Sequence, residues 1–185
     1  MTAGGDREPE ELVVVGIDPG SIATGYGVVA RRRGGAMRLL ECGVIRPTRK
    51  AELAVRILEI FEGVTEILER FRPDTVAVES VFQGKNARSA LILGHARGAI
   101  LVAGARLKIE VAEYTPVAIK KAVVGHGSAT KDQVGLLVQE QLRLKEPPRP
   151  NDAADGVACA LCHLVLGVDG RLPGALPHRF ARSPS

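Results

Sequence analysis

Residues 12–17 read Leu-Val-Val-Val-Gly-Ile, an unbroken apolar run rich in β-branched side chains. A run of that length and composition reads as a buried strand. It stops at Asp18-Pro19-Gly20-Ser21, which is turn chemistry. Residues 24–30 and 37–45 are two further strand candidates. The connection between them, Arg31-Arg32-Arg33-Gly34-Gly35, has hairpin composition. The chain therefore opens with three consecutive strands, expected to be antiparallel.

The period then changes. Leu53, Ile57, Ile60, Phe61, Val64, Leu68 and Phe71 recur at steps of three and four, which places them on one face of a helix over residues 51–71. Arg72-Pro73-Asp74 stops it. A strand over 75–79, an Ala- and Gly-rich helix over 89–105 and a short strand over 109–112 follow. Helices over 116–124 and 131–142 come next, and a last helix runs to about Leu166, capped by Asn151 or Asp152. Strands alternating with helices imply an α/β fold, a mixed five-stranded sheet with helices on both faces. Residues 1–11 read as a flexible leader, 12–168 as the folded domain, and 169–185 as a flexible basic tail.

Composition narrows the function classes without choosing one. A hydrophobic share of 45% supports a well-buried core. The net charge of +4 permits a polyanionic partner without requiring one. The start of the chain is polar and lacks the basic and apolar segments of a signal peptide. The apolar runs are too short to cross a bilayer. A cytoplasmic location with no membrane contact is the expectation, and reduced thiols with it. Cys159-Ala160-Leu161-Cys162-His163 has the spacing of a haem attachment site. Its place in mid-helix reads instead as apolar packing.

The acidic residues carry the functional signal. Asp18 ends a buried strand, where a carboxylate is costly without a partner charge; as a bland turn residue it would bond its own backbone. Glu79 closes the apolar strand Thr75-Val76-Ala77-Val78, and a glutamate is rarely buried unpaired. Asp152 and Asp155 stand three apart at a helix start, where they share a face. Capping alone accounts for acids there. The small residues Ala153, Ala154, Gly156 and Ala158, however, let this helix approach another element closely. Carboxylates converging on one point repel unless cations lie among them. Oxygen ligands suit Mg²⁺, with Mn²⁺ expected to substitute. Two such ions about 4 Å apart activate water and stabilise the leaving oxygen of a phosphodiester. No Cys/His zinc set, nucleophile elbow or Walker A loop competes with this reading.

At these residues the chain resembles a known family. GIDPGS, TGYGVV, VAVESVFQGKNARSALILGHARG, VVGHGSATKDQV and NDAADGVACALCH, in that order, look like the RuvC family of Holliday-junction resolvases. The resemblance implies an RNase H-like fold and a homodimer. It implies paired symmetric incisions in a four-way DNA junction during recombination and repair, with Asp18, Glu79, Asp152 and Asp155 as the catalytic, metal-binding carboxylates. In some relatives a histidine replaces the first acid of the last pair; Asp152 is the acidic version. A branch-migration helicase complex of the RuvA and RuvB type is the implied partner.

Between Gln83 and Lys131, eight basic residues face two acidic ones, a local balance of +6. Such an excess between carboxylate motifs suits a phosphate-binding rim. Lys85, Arg88, Lys120 and Lys131 are the candidate DNA contacts, and the resemblance places Lys120 and Lys131 near the active site. Phe82, in a chain with 3% aromatics, is either a core side chain or a platform that stacks on an opened base. The apolar helix over 89–105 is the expected dimer surface. Two rival readings remain: an actin-like or sugar-kinase-type ATPase domain, and a non-catalytic junction-binding protein of the same fold.

Overall fold

The computed structural model describes residues 11–80 and 87–167. Five strands, β1 (Glu11–Asp18), β2 (Thr24–Arg32), β3 (Met37–Ile45), β4 (Thr75–Glu79) and β5 (Glu110–Tyr114), form one sheet in the order β3-β2-β1-β4-β5. The first three strands pair antiparallel; β4 joins β1 in parallel and β5 joins β4 in parallel. The expected mixed sheet is therefore present. Gly35 turns the β2–β3 hairpin with φ 87°, a left-handed conformation that glycine adopts without steric cost.

β1 lies at the centre, which explains its continuous apolar run. Val13, Val15 and Ile17 face one layer with Val28, Ala30, Val76 and Val78. That layer is closed by α1 (Leu53–Phe71) and α2 (Ala87–Arg106) through Ile60, Val64, Leu68, Ala96 and Ile100. Val14, Val29, Ala77 and Ala112 face the opposite layer. There α5 (Asn151–Leu166) lies on the sheet, with α3 (Pro116–Val124) and α4 (Lys131–Gln141) packed beside it.

The contact between α5 and the sheet is backbone on backbone. A Cβ added at Gly16 would stand 2.2 Å from the Gly156 carbonyl oxygen. One at Gly25 would stand 1.8 Å from the Asp152 carbonyl oxygen, and one at Gly27 would be 2.6 Å from the Val157 Cα. Gly156 answers from the helix, where a Cβ would meet the Tyr26 Cα at 2.6 Å. Only glycine fits at a backbone approach of this kind.

Several local expectations are corrected. The last helix is not capped by Asn151 or Asp152: Pro150 is its N-cap, with no side-chain cap, and the Pro150 carbonyl accepts from Ala153 and Ala154. α2 begins at Ala87 and β5 runs from Glu110 to Tyr114. β1 begins at Glu11, one residue earlier than the apolar pattern indicates. The Glu11 side chain is 1% exposed and accepts hydrogen bonds from Arg32 and Arg38, the latter at 2.7 and 3.1 Å. A charged residue paired across the sheet is invisible to a hydrophobic pattern.

Candidate active site

Register brings the first two acids together. Parallel pairing sets Ile17 beside Val78, so Asp18 and Glu79 come next on two adjacent strands that both end there. Side chains alternate along a strand. Ile17 and Val78 point toward α1 and α2, so Asp18 and Glu79 point toward α5.

The helix supplies the second pair. Gly25, whose face carries the Asp152 backbone, is the β2 residue paired with Asp18. The glycine contact thus sets the first turn of α5, with Asp152 and Asp155, over the end of β1. Because Pro150 rather than an acid provides the N-cap, the carboxylates are not used as caps.

Burial and crowding by its acidic neighbours hold Asp18 far above the usual carboxylate range, at about 7. Loss of hydration is the larger cause, followed by the charges of Glu79, Asp155 and Asp152, with Lys131 opposing. Glu79 is raised for the same reasons, burial first and then Asp155, while Lys131 and Lys120 pull it down. Lys131, the first residue of α4, donates from Nζ to Asp155 Oδ2 at 2.7 Å. That bond raises the Lys131 ammonium above its ordinary value. Thr130 fixes the start of α4 through a reciprocal capping box with Gln133.

All four acids are therefore electrostatic neighbours of one another or of Lys131. Among the described residues, no three His, Cys, Asp or Glu side chains are already gathered around a single coordination point. The donor set is nonetheless all oxygen, densely anionic and partly buried, which fits a hard divalent cation. Asp18, Glu79, Asp152 and Asp155 are the residues that would hold it.

The other expected contacts fall out differently. Lys120 lies on α3, close enough to Glu79 to act on its charge. Arg88 is exposed in the first turn of α2. Phe82 and Lys85 lie outside the described residues. Cys159 and Cys162 are buried inside α5, their thiols pushed up by burial, Cys162 to about 12. His163 is hydrogen-bonded to the Tyr114 hydroxyl. The haem-like spacing is thus helix core.

Sequence reasoning missed the parts that hold the site in shape. Thr24, fully buried, donates from Oγ1 to the Gly20 carbonyl at 2.7 Å and closes the turn after Asp18. Arg56 of α1 donates to the Ser21 carbonyl in the same turn. Gly25 and Gly27 stand two apart on one face of β2; that spacing was the readable signal for a close-packed helix.

A family model described as Crossover junction endodeoxyribonuclease RuvC matches residues 14–163. The chain is 43% identical over 152 residues to the crossover junction endodeoxyribonuclease RuvC of Desulforamulus reducens, covering 82% of this chain and 93% of that protein. It is similar to the structure of Thermus thermophilus RuvC in complex with Holliday junction substrate, with a TM-score of 0.82 and 41% identity, covering 86% of this chain and 97% of that one. The crystal structure of the yeast mitochondrial Holliday junction resolvase shares the fold alone, with a TM-score of 0.62 at 13% identity over 84% of this chain and 80% of that one.

Proposed function

The chain belongs to the RuvC family of crossover junction endodeoxyribonucleases, and we propose that it resolves four-way DNA junctions with Asp18, Glu79, Asp152 and Asp155 as its metal-holding carboxylates. The observation that carries the assignment is Asp18. Strand register sets it beside Glu79, and the Asp152 backbone lies on its β2 partner Gly25, so burial and three neighbouring acids raise its pKa. A fold does not keep an acid so crowded for stability, because the charge it carries at neutral pH is unfavourable there. A divalent cation relieves that repulsion.

A bound divalent cation, Mg²⁺ with Mn²⁺ as substitute and two ions per site, supplies Lewis-acid stabilisation of the scissile phosphate and activation of water. The chain's own residues do the rest. Asp18 and Glu79, at the ends of paired strands, present donors that cannot move independently. Asp152 and Asp155 present theirs from a helix seated on glycine. Lys131 offsets one of the four negative charges, and with Lys120 places positive charge where a phosphate gains charge during cleavage. Arg88, Lys85 and Phe82 extend the contact along DNA, the first two to phosphates and Phe82 by stacking on an opened base.

A homodimer is the matching assembly, since paired cuts in opposed strands need two sites related by two-fold symmetry. The exposed side of α2, with Leu91 and Val102 mostly solvent-accessible, supports that contact. A branch-migration complex of the RuvA and RuvB type would deliver junctions to the dimer. Among the described residues no helix is long and apolar enough to cross a membrane.

The test is cleavage of a synthetic four-way junction with and without Mg²⁺, beside a linear duplex of the same sequence. Mg²⁺-dependent, paired nicks that ligase seals are expected. Equal cutting of the linear duplex, or products carrying gaps or flaps, would overturn the reading.

A further inference from the structure

Tyr114 is the last residue of β5 and pairs with Glu79 across the sheet. Its carbonyl accepts from the Ser80 amide at 2.7 Å and from the Ser80 hydroxyl at 3.1 Å, so its main chain closes the strand end that carries Glu79. Its side chain points to the same face as Glu79, toward α5. The hydroxyl is hydrogen-bonded to His163 Nδ1 at 2.7 Å, and the two rings meet edge to face with centroids 5.9 Å apart. His163 belongs to α5, the helix that carries Asp152 and Asp155. Both residues are buried, at 6% and 8% exposure.

We infer that the Tyr114–His163 hydrogen bond positions the two halves of the carboxylate site, setting α5 against the Glu79 end of the sheet. Neither residue touches the reacting atoms. Each acts through the backbone element to which it belongs.

The physical case rests on how the rest of α5 is held. The glycine contacts fix its distance from β1 and β2, on one side of the site. The directional contact on that side is at the end of the helix, where the Arg31 guanidinium of β2 donates to the Leu164 carbonyl at 2.6 Å. Toward β4 and β5 the seat is apolar, built from Ala77 and Ala112 together with Ala158 and Leu161. Apolar contacts tolerate small displacements. A buried hydrogen bond does not, because a donor or acceptor left without its partner there costs about 1–3 kcal/mol. The pair therefore holds the helix on the side where Glu79 must face Asp155. Displacement by about 1 Å is enough to damage a positioned site.

The inference rests on the four carboxylates being the metal site, and its test separates the two claims. Mn²⁺ binding to the full chain is followed by electron paramagnetic resonance, well below each variant's melting temperature. Tyr114→Phe, which removes only the hydroxyl, and His163→Leu should each weaken Mn²⁺ binding about ten-fold, as loss of outer support does at metal sites. The double variant should be no worse than either single one, because both remove the same contact. His163→Asn presents both an amide donor and a carbonyl acceptor near the Nδ1 position, and should stay within about two-fold of the unaltered chain. Asp18→Asn is the control and should abolish tight binding. Tyr114→Phe and His163→Leu binding Mn²⁺ normally while Asp18→Asn does not would overturn the positioning role alone. Normal binding by Asp18→Asn would overturn the site reading and this inference with it. Additive losses in the double variant, or no rescue by His163→Asn, would also count against it.

Discussion

β1 carries one carboxylate at each end, and the two ends are built on opposite principles. Glu11, at the start, is buried among compensating charges: Arg32 from β2 and Arg38 from β3 both donate to it. Asp18, at the finish, is buried among charges of its own sign: loss of hydration first, then Glu79, Asp155 and Asp152, raise its pKa to about 7, with only Lys131 opposing. One end is an ion pair that closes the sheet. The other is a site whose electrostatics are incomplete without a cation. One eight-residue strand thus carries both a group that serves stability and one that works against it.

The largest effect should come from removing the charge at the unfavourable end. Asp18→Asn should lower Mg²⁺-dependent junction cleavage by about 10³-fold or more, about 4 kcal/mol in the barrier. Junction binding should survive, since it rests on phosphate contacts. Without metal, the same variant should melt no lower than the unaltered chain at pH 8. A lower melting temperature would place Asp18 with Glu11 as a structural acid and erase the contrast.

Next in size is the dependence of stability on pH. A carboxylate whose folded pKa lies above its unfolded value binds more protons in the folded state, so stability falls as pH rises between the two. For Asp18 that window runs from 3.8 to about 7. The metal-free chain should therefore lose stability across it, with an upper bound of about 4 kcal/mol. Chemical denaturation at pH 5 and pH 8 samples the upper part of this window, at most about 3 kcal/mol of it. Mg²⁺ or Asp18→Asn should flatten the slope, and a slope unchanged by either would refute the assignment to Asp18.

Glu11→Ala should do the reverse of Asp18→Asn. Loss of charged hydrogen bonds should cost about 2 kcal/mol of stability, since Arg32 and Arg38 are half exposed and rehydrate when freed. Cleavage per folded molecule should not change. A specific loss of activity at equal folding would show that the two ends of β1 are coupled.

The smallest effect should come from Lys131→Ala. Lys131 is the cation that lowers both Asp18 and Glu79, so its removal should move the acidic limb of the cleavage pH profile upward by up to about one unit. Cleavage at pH 7 should slow roughly ten-fold. An acidic limb that stays in place would mean that Lys131 serves Asp155 alone.

Much of this architecture is written locally. The apolar run of β1, the three- and four-residue steps of α1 and the turn chemistry after Asp18 and before Gly35 each follow from short-range physics. Alternation along β1 and β4 even orients Asp18 and Glu79, once the strands are adjacent. Glu11 was illegible because its burial depends on arginines 21 and 27 residues away. The Asp152 cap was misread because Pro150 supplies an equivalent helix start.

What the sequence by itself determined is the identity of the elements and the residue type each presents: four acids at element ends, small residues on α5, and glycines two apart on β2. Only the tertiary structure decided which acid meets which, because periodicity specifies orientation within an element and says nothing of the register between elements. The parallel pairing of β1 with β4 made Asp18 and Glu79 neighbours. The seating of the Asp152 backbone on Gly25 brought the helical pair to them. The Tyr114–His163 bond joins residues 49 apart, a pairing that local chemistry does not encode and that exists only once sheet and helix are packed.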